Sequence, residues 1–178
     1  GFLRALSEWY PELDIPYMTG VSAGAINAAH LAAHHGSFAQ SVEELASLWG
    51  DLRVENVFQV GATSLFSILL RWGLRLVSGG RGSLPEVRGL VDTAPLRRFL
   101  TEVLHSVDGE LTGIGSNIAS GRLKAVALST SSYTTGQSIT WVQGSGIREW
   151  ERPQRQSRNT TLTVEHVMAS SALPIFFP

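Results

Sequence analysis

The sequence contains no cysteine. A disulfide framework, a thiol nucleophile and a thiolate metal site are therefore excluded. An excess of one sign of charge is also lacking, because 14 basic and 15 acidic residues leave a formal net charge of −1. Electrostatics thus offers no case for a nucleic-acid partner. The lack of cysteine suits reducing and oxidising compartments alike, so it does not fix the localisation.

The two ends of the sequence lack the usual signs of a complete chain. The sequence starts at Gly1, with neither an initiator methionine nor a charged-then-apolar signal pattern. We therefore expect a piece of a longer protein, truncated at both ends, and we favour a cytoplasmic or membrane-peripheral location. With 178 residues, of which 43% are hydrophobic, the chain can bury one sizeable core. This size predicts a single domain over residues 1–178.

The stretch with the clearest chemistry fits the pattern G-x-S-x-G. It comprises Gly20, Val21, Ser22, Ala23 and Gly24. In the nucleophile elbow that this pattern describes, the serine lies at a strained turn between a strand and a helix. We expect both glycines to be needed, since a Cβ at either position would clash in so tight a turn. The serine hydroxyl would then stand clear of the sheet, at a helix N-terminus that favours developing negative charge.

The residues on either side of this motif decide how specific it is. The mostly apolar residues 15–19 predict a buried strand, and the alanine-rich residues 25–35 predict a helix that stops at Gly36. A strand, the motif and a helix in this order are what the elbow requires. The alternative is a serine N-cap at a close helix–sheet contact, but an N-cap does not need a glycine on both sides.

The rest of the chain alternates between helical and extended patterns. Helices are predicted over residues 2–10, from a capping box at residues 41–44 to Gly50, over residues 93–104 and after Thr163. Strands are predicted over residues 123–130 and 138–142, with a polar loop over residues 152–159. Strands that alternate with helices indicate an α/β layer fold with a mainly parallel sheet.

Residues 61–80 form an apolar stretch that allows two interpretations. The apolar side chains share one helical face, and Arg71 and Arg75 stand apart from it. The stretch is shorter than the roughly 20 apolar residues of a transmembrane span. One interpretation is an interfacial helix or lid that contacts lipid through its apolar face. The other is an ordinary amphipathic helix that covers the core.

A serine hydroxyl is a weak nucleophile and needs a base. The chain order of a Ser–Asp–His triad is met by Ser22, by Asp92 or Asp108, and by His166. None of these residues is a convincing partner for the activation of Ser22. Asp92 stands where a helix cap belongs, Asp108 belongs to an Asp-Gly turn, and His166 falls inside the predicted last helix.

Two histidines of the predicted elbow helix are spaced as metal ligands can be. His30 and His34 are four residues apart, but the acidic partner of a zinc-binding helix is missing. We expect both side chains on the solvent side of the helix, and we predict no metal site. His30 is eight residues beyond Ser22, about 12 Å along the helix, which is too far for a base.

Two segments of the chain resemble the patatin-like phospholipases. They are TGVSAGAINA at residues 19–28 and VMASSALPIFFP at residues 167–178, and residues 1–6 and 92–96 are similar as well. The resemblance implies a three-layer α/β/α sandwich with a mainly parallel central sheet. It also implies hydrolysis of lipid acyl esters, with a lipid or phospholipid as substrate. A peripheral contact with the membrane is expected if residues 61–80 form the interfacial helix.

The same resemblance implies a Ser–Asp dyad in which Ser22 is the nucleophile, and no metal or organic cofactor. The family's aspartate motif would follow residue 178, and its glycine-rich oxyanion loop would precede Gly1. We therefore expect residues 1–178 to form a partial catalytic domain that is inactive by itself. The backbone N–H of Ala23, directly after the serine, is a candidate donor to the oxyanion.

Two other functions stay open on the sequence alone. The first is an esterase of the Ser–His–Asp type with His166 as its base. The second is a non-catalytic lipid-binding domain that keeps the G-x-S-x-G turn only as structure. Labelling by a fluorophosphonate distinguishes the two classes, because a binding module has no activated serine.

Overall fold

The computed structural model describes residues 1–52, 93–132 and 134–172. Helices and strands alternate along these residues. The helices are α1 (Phe2–Trp9), α2 (Ala23–Ala33), α3 (Phe38–Asp51), α4 (Ala94–Val103), α5 (Thr112–Ala119) and α6 (Val164–Ser171). The strands are β1 (Tyr17–Gly20), β2 (Ala125–Ser131), β3 (Ser138–Gly144), β4 (Glu151–Arg152) and β5 (Arg155–Asn159).

The described strands form one mixed sheet in the order β1-β2-β3-β5-β4. β1 pairs with β2, and β3 with β5, in parallel. The pairs β2–β3 and β4–β5 are antiparallel. The connection from β1 to its parallel neighbour β2 contains α2, as parallel neighbours require a crossover. The predicted α/β class is confirmed.

The core lies where the alanine-rich helix α2 meets the sheet. Ala25, Ala29 and Ala32 are almost completely buried, and their small side chains let the helix approach the strands closely. Val126 and Leu128 of β2 belong to the same cluster. Other members come from α4 and α6 and are listed here: Leu96, Leu100, Val164, Val167 and Met168. Truncating a fully buried leucine in such a core costs about 2–5 kcal/mol.

Helix α3 begins one turn earlier than predicted. Its N-cap is Ser37, whose hydroxyl accepts from the backbone N–H of Gln40 at 3.3 Å, while the Gln40 side chain accepts from the backbone N–H of Ser37 at 2.9 Å. The predicted cap, Ser41, is buried inside the helix. Both serines are followed three residues later by Gln or Glu, so both fit a capping box. The burial of Phe38 decides between them, because the helix must start there to place this ring in the core.

The prediction of a polar loop over residues 152–159 is wrong. β4 and β5 lie in this segment, and β5 pairs in parallel with β3. Ser157 is the one buried residue of β5, and it is fully buried. Its hydroxyl accepts from the backbone N–H of Trp150 at 2.9 Å. The strand is therefore held by main-chain ladders and a buried hydroxyl, and its sequence lacks the apolar alternation that signals a strand.

Three sequence features fall outside the described residues. They are the apolar stretch at 61–80, Asp92, and the last six residues of the C-terminal segment, 173–178. Among the helices that the structure describes, none has the length and apolar character needed to cross a bilayer.

Candidate active site

The turn that contains Ser22 lies at the carboxyl end of β1. Gly20, the last residue of this strand, pairs with Leu128 of the parallel strand β2, and α2 starts at Ala23. The predicted order of strand, motif and helix is thus present. In α/β proteins ligands bind at the carboxyl ends of parallel strands, so the turn occupies the edge of the sheet at which a site is expected.

The backbone of Ser22 adopts an uncommon conformation, with φ 55° and ψ −127°. A non-glycine residue with positive φ is strained and persists only where its surroundings hold it. Val21, Ser22 and Ala23 are all exposed at the surface. The serine hydroxyl is therefore accessible to a substrate, on a turn whose conformation is fixed at an energetic cost.

The N-terminus of α2 leaves one N–H without a partner in the described part of the chain. The N–H of Gly24 donates to the carbonyl of Val21 at 2.9 Å, and the N–H of Ala25 donates to the carbonyl of Ser22 at 2.8 Å. The N–H of Ile26 also reaches the Ser22 carbonyl, at 3.4 Å. The N–H of Ala23 has no such bond among these residues. An unpaired N–H at a helix N-terminus suits an anionic oxygen.

The two glycines of the motif differ in their surroundings. A Cβ on Gly20 would lie 2.6 Å from the carbonyl carbon of Gly24 and 2.7 Å from the Cα of Ala25. Position 20 therefore requires glycine, as predicted. A Cβ on Gly24 would have no described atom within 4 Å outside the neighbouring helix backbone, so the prediction that both glycines are required is wrong for Gly24. The reason is that the carbonyl group of Gly24, and not its Cα, forms the close approach.

Helix α6 meets the turn from the other end of the chain. The N–H of Ser22 donates to the hydroxyl of Ser170 at 3.0 Å, and that hydroxyl donates to the carbonyl of Ser129 in β2 at 2.7 Å. Sequence reasoning did not find this contact. Its signal is present in the C-terminal segment that carries the family resemblance, since Ser170 lies within it.

The prediction that His30 and His34 face solvent is wrong. His30 is buried, and its Nε2 lies 3.2 Å from the carbonyl oxygen of Ser41 in α3. The side chain of His34 is mostly buried and lies 3.2 Å from the Glu44 carboxylate. Burial, with a contribution from His34, lowers the pKa of His30 below its usual 6.5. The physical reason is that α3 covers this face of α2, which an alanine-rich pattern without a polar stripe does not reveal.

His166 caps the helix in which it lies. Its Nδ1 is 3.1 Å from the backbone N–H of Thr163 and 2.9 Å from the Thr163 hydroxyl. The ring also makes an edge contact with Trp141, and burial lowers its pKa. Because Nδ1 accepts from a backbone N–H, the hydrogen-bond network assigns the proton of the neutral ring to Nε2.

The other candidate groups are not assembled into a site in the described structure. Asp108 and Gly109, with φ of 49° and 84°, form the tight turn between the bridged residues Val107 and Glu110, as predicted. Nowhere in residues 1–52, 93–132 and 134–172 do three or more His, Asp or Glu side chains form a group that could hold a metal ion.

A family model for patatin-like phospholipases matches residues 1–178, which is the whole chain. The match therefore includes both the G-x-S-x-G turn and helix α6, whose Ser170 contacts it. No curated protein sequence and no solved structure gave a match.

Proposed function

The chain belongs to the patatin-like phospholipases, and from this premise we propose that it is a lipid acyl hydrolase with Ser22 as its nucleophile. The Ser22 Oγ attacks the carbonyl carbon of an acyl ester and gives its proton to an aspartate. The alcohol part of the lipid leaves with a proton, and the acyl group stays on the serine. Water then releases the fatty acid and restores the hydroxyl. The proposal includes peripheral contact with a lipid surface, where such substrates reside.

The observation that carries this proposal is the backbone conformation of Ser22. A serine at φ 55° follows a strand that ends on the sterically required Gly20 and precedes a helix that starts one residue later. A simple N-cap serine has extended backbone and accepts from an N–H of the first turn. Ser22 has no such side-chain bond in the described structure. The strained, exposed turn thus supports a nucleophile better than it supports a cap.

Ala23 is proposed as one donor to the oxyanion. Its N–H follows the nucleophile directly and, in the described residues, is the first-turn N–H of α2 that no carbonyl uses. A preorganised N–H that meets the negative oxygen of the tetrahedral intermediate is among the strongest contributions to acyl transfer. A second donor is expected from the glycine-rich loop that the family resemblance implies.

The proposed base is the aspartate of a Ser–Asp dyad. A carboxylate is a weak base, so the site must raise its pKa or stabilise the oxyanion strongly. The alternative triad with His166 has less support. A neutral imidazole that bears its proton on Nε2 and accepts from Thr163 at Nδ1 has no free lone pair for a serine proton.

The test is covalent labelling of the full-length protein by a fluorophosphonate probe. We expect labelling of the wild type, loss of labelling in Ser22→Ala, and a fall in hydrolysis of a p-nitrophenyl ester on the order of 10⁶-fold. Ser41→Ala is the matched control, because Ser41 is a buried serine whose hydroxyl donates to the carbonyl of Phe38 in its own helix. Hydrolysis by Ser22→Ala at more than about a tenth of the wild-type rate would refute the assignment. A full-length protein that binds lipid vesicles but is never labelled would support the lipid-binding alternative.

A further inference from the structure

Both backbone groups of Ser22 contact consecutive residues of α6. The Ser22 N–H donates to the Ser170 hydroxyl at 3.0 Å, and the Ser171 hydroxyl lies 3.4 Å from the Ser22 carbonyl oxygen. Ser170 in turn donates to the carbonyl of Ser129 at 2.7 Å. A single hydroxyl therefore joins the turn, the last helix and the strand β2, across 148 residues of sequence between Ser22 and Ser170.

The hydroxyl of Ser170 differs from those of the other buried helical serines in the described residues. Ser7 donates to the carbonyl of Arg4 at 2.9 Å, and Ser41 donates to the carbonyl of Phe38 at 2.8 Å. Both satisfy a carbonyl of their own helix, which is the usual arrangement for a helical serine. Ser170, only 9% exposed, instead donates to β2 and accepts from the turn. Its position is therefore tied to the backbone of Ser22 and not to the needs of its own helix.

Helix α6 is held firmly enough to position this hydroxyl. Thr163 and His166 form a capping box at its N-terminus, and Val164 and Val167 are buried in the core. Glu165 forms an ion pair with Arg97 of α4. The capping box, the buried side chains and the ion pair thus anchor the helix, and a hydroxyl on an anchored helix can hold a strained residue in one conformation.

We propose that Ser170 is a positioning residue for the nucleophile. Its hydroxyl keeps the peptide between Val21 and Ser22 in the orientation that the positive φ of Ser22 requires. That orientation directs the Ser22 hydroxyl and the N–H of Ala23 toward the same substrate carbonyl. Ser170 does not contact the reacting atoms and transfers no proton. The proposal rests on the proposed function, because it presumes that Ser22 is the nucleophile.

Loss of this hydroxyl removes the partner of two part-buried hydrogen bonds. In Ser170→Ala the N–H of Ser22 and the carbonyl of Ser129 both lose the bond that the structure gives them. The turn can then relieve its strain by rotating the Val21–Ser22 peptide. A displacement of about 1 Å at a reacting atom can cost 10²-fold in rate, even when substrate binding is unaffected. The effect should therefore fall on kcat and on the rate of covalent labelling, and much less on KM.

The experiment compares four full-length variants with the wild type: Ser170→Ala, Ser170→Thr, Ser22→Ala and the control Ser41→Ala. Each is assayed with p-nitrophenyl butyrate and with a fluorophosphonate, at a temperature well below its own Tm. For Ser170→Ala we expect a loss of about 10- to 100-fold in kcat with KM within about threefold, and an equal loss in labelling rate. Ser170→Thr, which keeps the hydroxyl, should recover kcat to within about threefold of wild type, and Ser41→Ala should keep it.

Three results would overturn the inference. The first is a folded Ser170→Ala protein whose kcat and labelling rate equal those of the wild type. The second is a Ser170→Thr protein with wild-type Tm and the low kcat of the alanine variant. The third is an equal loss of kcat in Ser41→Ala, which would mean that any buried helical serine matters as much. If Ser170→Ala does not fold, Ser170→Cys decides, since a thiol fills the same space with weak hydrogen bonds. A lower kcat in folded Ser170→Cys supports the inference, and an unchanged kcat refutes it.

The outcome for Ser22→Ala separates this inference from the proposed function. If Ser22→Ala abolishes hydrolysis and Ser170→Ala changes nothing, only the positioning role is wrong. If Ser22→Ala keeps its activity, the nucleophile assignment is wrong, and the positioning role is wrong with it.

Discussion

The Cα of Gly20 lies against the carbonyl group of Gly24, so close that a methyl group on Gly20 would overlap with the main chain of Gly24 and Ala25. This contact places the end of β1 directly beneath the first turn of α2. Three residues separate Gly20 from Gly24, and Ser22 is the middle one. The position of the candidate nucleophile therefore depends on the absence of a side chain two residues earlier.

Gly20→Ala is expected to damage both stability and activity. The added Cβ meets backbone atoms, which cannot rotate away as a side chain could, so the strand and helix must separate. Overpacking of this kind costs about 1–3 kcal/mol in the free energy of unfolding. The displaced Ser22 should lose about tenfold or more in kcat on a p-nitrophenyl ester. Urea unfolding and steady-state kinetics of the full-length protein measure both effects. An alanine variant with wild-type stability and activity would contradict the close contact.

Gly24→Ala is the matched substitution and is expected to be tolerated. No described atom outside the adjacent helix backbone lies within 4 Å of the new methyl group. Within a helix, alanine is more favourable than glycine by about 0.5–1 kcal/mol, so the free energy of unfolding should stay constant or rise by that amount. We expect kcat within about threefold of wild type. A large loss of activity with unchanged stability would mean that the second glycine serves the approach of a substrate.

Residues 1–178, produced as a separate chain, are expected to hydrolyse no ester at a measurable rate. The family resemblance implies that the aspartate base and the glycine-rich oxyanion loop lie outside these residues. In the described structure, no other base forms a hydrogen bond with the Ser22 hydroxyl. The measurement is p-nitrophenyl butyrate hydrolysis, with a circular dichroism spectrum to show that the chain is folded. Turnover that is lost on Ser22→Ala would mean that a base lies inside residues 1–178, and the triad would then be favoured.

The order of elements around the candidate site could be predicted from the sequence because local signals agree there. An apolar strand, a glycine at the steric contact and a run of alanines all indicate the same turn. The first helix and the last helix have clear signals as well, in their apolar spacing and in the cap at Thr163. These elements are short and continuous, so a local pattern is enough to predict them.

The remaining elements depend on partners distant in sequence. α5 was not predicted, since it contains two glycines, and the Asn117 side chain holds it by donating to the carbonyls of Ala32 and His34 at 2.8 and 2.9 Å. The burial of His30 depends on α3, and β5 depends on its ladder with β3. The contact between Ser22 and Ser170 is of this kind too. Hydrogen bonds between distant segments leave no periodic signal in the sequence, so local patterns cannot reveal them.

Stability should fall as the pH drops below about 6.5, and the buried His30 and the partly buried His166 give the sign. Burial lowers the pKa of His30 and of His166 in the folded protein. In the interval between the lowered pKa and the unfolded value, the unfolded chain binds protons that the folded protein does not, so acid favours unfolding. Each histidine can change the free energy of unfolding by at most about 1.4 kcal/mol per pH unit. Urea unfolding at pH 7.5 and 5.5 should show a smaller loss for His30→Gln than for the wild type. An equal loss would mean that His30 is protonated without unfolding.

Catalysis is expected to need no histidine, and His166 is the decisive case. Its Nδ1 accepts from the N–H of its own helix cap, Thr163, so the neutral ring holds its proton on Nε2 and cannot take one from Ser22. In His166→Gln the capping box is kept, because a Gln at this position can accept from the N–H of Thr163 as Gln40 accepts from Ser37 in α3. The kcat of the folded full-length variant should stay within about tenfold of wild type, a change below 1.4 kcal/mol in barrier. Thr163→Ala is the control for loss of the cap, because it removes the Thr163 hydroxyl from the capping box and should lower the free energy of unfolding by about 0.5–2 kcal/mol. A thousandfold loss of kcat in His166→Gln but not in Thr163→Ala would show that the imidazole itself takes part, and the Ser–His–Asp triad would replace the dyad.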